Sequence, residues 1–154
     1  MQGPGGCGAR GRPASVRRVR PWWMTLVLGL CLFGTFLYLP YDLLFTPLDR
    51  AEEVWFGVTL RGWAAKAGEV AHWLVYAVGA WGLWFMRPWL PIAAGLYLLQ
   101  VAVAHLVWSE LDPRGNGIWI GLLQCGVFVA AASVFFRSRV RFTVATAGHG
   151  PGAR

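Results

Sequence analysis

Four apolar runs separated by polar stretches organise this chain. They cover about residues 22–39, 70–86, 90–109 and 118–136. At 1.5 Å rise per residue, a run of about 18 residues comes close to the ~30 Å hydrocarbon core of a bilayer. The pattern predicts an all-α fold, a four-helix transmembrane bundle. Between the first two runs lies a mixed interval, 42–66. There "TPLDRAEE" reads as a helix start, with Thr46 as cap, Pro47 in the first turn and Asp49 near the positive end of the helix dipole. "VWFGVTLRGW" follows, so the interval predicts a short interfacial helix between spans one and two, with Trp55, Phe56 and Trp63 dipping inward. "RPW" at 87–89 predicts a tight turn, and "ELDPRGNG" a loop. Residues 1–21 and 142–154 carry no hydrophobic period and read as disordered tails.

Composition decides between a soluble core and a membrane domain. The chain has 154 residues, 56% hydrophobic and 14% charged, and a mean hydropathy of +0.49. Soluble domains carry about 25% charged residues, so the choice falls to the membrane. Ten tryptophans agree, because Trp favours the bilayer interface. The first run is a span rather than a cleaved signal, since no small-x-small site follows it. Met24 is disfavoured as a start, because it would delete the basic flank that sets orientation. Cys7 lies in the tail and Cys31 and Cys125 lie in apolar runs, which excludes a disulfide framework or a CxxC motif.

The net charge of +7 is concentrated at the ends of the runs, which points to lipid head groups rather than nucleic acid. Arg10, Arg12, Arg17, Arg18, Arg20, Arg87, Arg137, Arg139, Arg141 and Arg154 fall on one side of a four-span arrangement. Arg50, Arg61, Lys66 and Arg114 fall on the other. Basic residues mark the cytoplasmic side. The expectation is a multi-pass protein of the bacterial inner membrane with both termini in the cytoplasm. Small residues such as Gly117, Gly121 and Cys125 recur at four-residue spacing, which suits close packing within the bundle or self-association into a homo-oligomer.

Candidate chemistry gathers at the non-cytoplasmic ends of the spans. "GEVAHW" places Glu69 and His72 three residues apart on one helix face, and "VAVAHLVW" brings His105 to a similar depth. Asp42, Glu110 and Asp112 belong to the same membrane face, and Gln124 comes close in depth. A carboxylate beside a histidine can fix its tautomer, and neutral imidazole is a common metal ligand. His72 and His105 are thus the candidate metal or haem ligands. Against this stands the plain use of polar residues near an interface, where they reach water and head groups. No phosphate-binding Gly loop or nucleophile elbow is present, and no span carries a charge at its centre.

Two function classes lead, ahead of a minimal channel or carrier, because the polar residues gather at one end of the spans and form no full-depth stripe. One is a structural or accessory membrane protein without catalysis or cofactor. The other is a polar site formed by Glu69, His72 and His105 that binds a metal, haem, quinone or lipid head group, with redox or transferase chemistry.

At "EVWFGVTLRGWAAK" and "MRPWLPIAAGLYLLQVA" the chain resembles small four-span bacterial membrane proteins that carry no assigned activity. The resemblance extends over roughly residues 38–108. It implies membrane location and brings no catalytic residue with it.

Overall fold

The computed structural model describes residues 20–147, with side chains to Phe142. Nearly all of the first expected tail, and residues 148–154 of the second, lie outside the described residues. The chain is mostly helical. A first rod comprises α1 (Trp22–Phe33), a π turn (Gly34–Tyr38) and α2 (Leu39–Phe45). A two-stranded hairpin follows, β1 (Glu52–Trp55) and β2 (Val58–Arg61). Then come α3 (Trp63–Trp84), α4 (Leu90–Leu111) and α5 (Ile118–Ala147). The last helix runs past the expected end of its span near 136.

Three helices are long and apolar enough to cross a membrane: Trp22–Phe45, Leu90–Leu111 and Ile118–Phe142. Leu26, Leu30, Phe36, Leu96, Leu123 and Val127 are exposed along them, as lipid-facing positions require. The helix α3 has the length, but Lys66, Glu69 and His72 dilute its apolar content.

One end of the molecule holds the apolar core. Met24 and Leu28 of α1, Ala80 and Leu83 of α3, Leu90 of α4 and Phe135 and Phe142 of α5 pack together there. Trp23 meets Phe135 edge-on at 5.5 Å between centroids. Arg20 reaches across from the start of the first rod. Its Nη2 donates to the carbonyls of Leu83 (3.0 Å) and Trp84 (2.9 Å), which lie in the last turn of α3 where carbonyls lack regular helical partners. The guanidinium also complements the negative end of the α3 dipole. Of the helix pairs, α4 and α5 are the most intimately packed. Gly121 allows this, since a Cβ there would lie 2.9 Å from Ser109 Cβ.

The π turn has a local cause. Pro40 carries no N–H to give to the carbonyl of Phe36, so the preceding turn has no regular closure. The Leu39 N–H instead reaches back to Gly34 O. That leaves the Thr35 carbonyl outside the ladder, and the Trp73 indole N–H donates to it at 2.8 Å. The irregularity thus becomes a bond between the first rod and α3.

The expected interfacial helix is replaced by the hairpin. The first rod continues to Phe45, and Thr46 caps nothing downstream: its hydroxyl donates to Asp42 Oδ1. Residues 47–50 form a turn closed by Arg50 N–H to Pro47 O. Then Glu52 pairs with Arg61, Glu53 with Leu60, Val54 with Thr59 and Trp55 with Val58. Phe56 (φ 51°) and Gly57 (φ 83°) both adopt positive φ, as a two-residue type I′ turn requires. Strand propensity explains why the hairpin wins: Val54, Trp55, Val58 and Thr59 are β-branched or aromatic, and glycine inside a helix is unfavourable.

Candidate functional site

The hairpin lies across the end of the molecule opposite the apolar core. Its turn seats on α4, where Gly57 leaves room for Val107. Its first strand seats on α3. Glu53 and Trp55 are two apart, so they share a strand face, and both meet Gly68. A Cβ on Gly68 would lie 2.7 Å from Trp55 Nε1 and 2.9 Å from Glu53 Cγ.

A network of charged groups fastens the hairpin to the α4–α5 loop. Arg114 Nη1 donates to Glu52 Oε2 at 2.6 Å, and Arg114 Nε to Asp112 Oδ1 at 3.1 Å. Thr59 Oγ1 donates to Asp112 Oδ2 at 2.8 Å, and Arg61 Nε lies 3.1 Å from Glu52 Oε1. Single exposed pairs contribute little, but here one guanidinium joins strand and loop. Hydrogen bonds from Arg114 hold Glu52 and Asp112 below the usual carboxylate range, and the two carboxylates raise Arg114 in turn. A carboxylate whose pKa is depressed by folding contributes stability that is complete above its unfolded pKa. That stability is lost as pH falls through the folded value. The hairpin amides are therefore expected to stay protected from hydrogen exchange down to about pH 4 and to lose protection below it. Arg114→Ala should lower their protection at neutral pH and flatten the acid dependence. An unchanged acid profile in that variant would remove the network as the fastening.

Beneath the hairpin lies a cleft of about 190 Å³ lined by Tyr38, Leu39, Asp42, Glu53, His72 and Tyr76. Three elements build it. Tyr38 and Asp42 are four apart on the first rod, and His72 and Tyr76 are four apart on α3, so each pair shares a helix face. Glu53 comes from β1. The closest polar contact is His72 Nδ1 to Glu53 Oε1, at 2.6 Å. A carboxylate only accepts, so Nδ1 carries the proton. The imidazole also stacks on the Trp55 indole, centroids 4.4 Å apart, and meets the Tyr97 ring edge-on at 6.3 Å. His72 is thus held on three sides, by hairpin and α4 together.

Glu69 does not pair with His72. It is 1% exposed, and its Oε2 accepts from Lys66 Nζ at 2.9 Å. Lys66 Nζ also donates to the carbonyl of Asp42 at 3.0 Å, which ties α2 to the start of α3.

His72 and His105 have different surroundings. His105 Nδ1 donates to the Val101 carbonyl at 3.0 Å, and its ring lies 4.8 Å from Phe128 of α5. Among the described residues, no group of three or more His, Cys, Asp or Glu is placed to hold a metal ion. Of the remaining candidates, Asp112 belongs to the hairpin fastening and Glu110 is exposed at the end of α4. Gln124 keeps a buried Oε1 with no hydrogen-bond partner. Of the residues singled out from the sequence, only Asp42 and His72 line the cleft. Glu53, Tyr38 and Tyr76 join them and were not singled out from the sequence. The signal for Glu53 was the β-branched and aromatic alternation of "EVWFGVT", which places it on the same strand face as Trp55.

The sequence matches no family model, and neither curated proteins nor solved structures give a match.

Proposed function

We propose that this is a four-span membrane protein of the bacterial inner membrane with a non-catalytic, accessory role. It acts by binding a small ligand or lipid head group in the hairpin-covered cleft. The observation that carries the reading is the cleft itself, where Asp42, Glu53 and His72 come together from three elements. His72 and Glu53 are bonded to each other, and Trp55 stacks on the imidazole, so the wall is preorganised.

The crossing of α3 has its own support. The first rod and α4 both begin at the core end. A chain that crosses in the first rod must return before α4 starts, and α3 is the element between them. Arg20, Arg87, Arg137, Arg139 and Arg141 then cluster near the core end or beyond it, which supports a cytoplasmic location for that end and for both termini. The hairpin and cleft would face away from the cytoplasm.

The test is native mass spectrometry of the protein released from membrane-derived nanodiscs. Wild type should carry a stoichiometric small-molecule or lipid adduct. Asp42→Leu, which makes the cleft apolar and removes the Thr46 bond, should lose it while still unfolding cooperatively near the wild-type temperature. Wild type that emerges without any adduct, or an adduct equally retained by Asp42→Leu, would end the reading.

A further inference from the structure

We infer that the cleft takes an organic primary ammonium group, carried either by a lipid head group or by a free amine. This rests on the cleft being the working site and adds the chemistry of its ligand.

Size sets the first bound. About 190 Å³ falls below the roughly 300–1,000 Å³ of pockets for drug-sized molecules. It equals roughly six waters at ~30 Å³ each. A haem macrocycle does not fit such a space, whereas the end of an aminoethyl chain does.

Charge sets the second. Asp42 and Glu53 line the cleft from separate elements, and Glu69 is buried outside the lining, paired with Lys66. The Lys66 ammonium is committed to Glu69 and to the main-chain carbonyl of Asp42, and it bonds neither cleft carboxylate. An anionic ligand would meet uncompensated carboxylates, and a cationic one would complete the balance.

Hydrogen-bond inventory sets the third. His72 engages one oxygen of Glu53, and Thr46 engages one oxygen of Asp42. Each carboxylate retains a second oxygen with acceptor capacity. A primary ammonium offers three donors and no acceptor, which is the complement of that set. The phenol rings of Tyr38 and Tyr76 add faces on which a cation is favoured. Tyr38 is 56% exposed beside the opening, next to exposed Tyr41, where an interfacial head group would enter.

The experiment uses the full chain in nanodiscs of defined lipid, read by native mass spectrometry. The discs contain phosphatidylethanolamine and phosphatidylglycerol together, or phosphatidylglycerol alone with ethanolamine titrated into the buffer. The expected result is a retained phosphatidylethanolamine adduct, or a saturable ethanolamine adduct, weakened at least about tenfold in Asp42→Asn. The first outcome identifies a lipid source and the second a free amine. Tyr38→Leu changes a half-exposed wall, leaves the charged pairs in place, and should weaken the adduct to a smaller degree. Retention of phosphatidylglycerol in place of phosphatidylethanolamine would overturn the ammonium assignment and leave the binding cleft standing. Equal binding in Asp42→Asn and wild type would overturn it as well. The absence of every adduct would overturn both.

Discussion

Glu69→Ala is expected to be among the most damaging single substitutions in the chain. The side chain is 1% exposed and Lys66 beside it is 12% exposed. Removing the carboxylate leaves a largely buried ammonium with one main-chain carbonyl as its partner. Stranding one member of a buried ion pair costs about 3–5 kcal/mol. Lys66 lies near the start of α3, where its stem can carry the charge toward water, so the lower part of that range is expected. Replacing both residues with methionine should recover most of the loss, because the pair's attraction is offset by the cost of desolvating it. Thermal unfolding in detergent checks this. Glu69→Ala should unfold below wild type and below the double methionine variant. A Glu69→Ala protein as stable as the double variant would show that the pair is not what holds α2 against α3.

Gly57→Val should displace the hairpin. A side chain at φ 83° is strained by about 1–3 kcal/mol. The new Cβ would also lie 2.4 Å from Val107 Cβ and Cγ1 and 3.1 Å from the Ala104 carbonyl. Overpacking of this kind costs about 1–3 kcal/mol more. Part of the steric half is removable: Val107→Ala in the Gly57→Val background should restore some protection of the strand amides in hydrogen exchange. The backbone half should remain. Full protection in the single variant would mean that the turn does not seat on α4.

The long apolar stretches were readable because lipid imposes one solution on them: a helix satisfies its own backbone. Hence the first rod, α4 and α5 follow from the apolar runs beginning near 22, 90 and 118. The hairpin was harder to see for a specific reason. Its turn is Phe56-Gly57, not the Asn-Gly or Asp-Gly pair that usually marks a type I′ turn. "TPLDRAEE" imitated a helix start, because capping residues and turn residues are the same residues. Once the hairpin was missed, Glu53 could not be placed against His72, nor Thr59 against Asp112. Both partnerships span a change of element that local spacing does not encode. His105 is the opposite case. Its acceptor is the carbonyl four residues earlier in its own helix, a contact that helical geometry alone allows.

The π turn in the first rod also acts as a phase shifter. It holds one residue more than a regular turn, and each residue of an α-helix advances the side chain by about 100° around the axis. Everything after Tyr38 is therefore rotated relative to the helix that leaves Trp22. Continued as a regular α-helix through the same residues, the rod would carry Asp42 about a quarter of a revolution away from His72. The orientation of the cleft's one carboxylate on this rod is thus a matter of count rather than composition. With these residues in place, the π turn at Gly34–Tyr38 constrains the site as tightly as the identity of any residue that lines it.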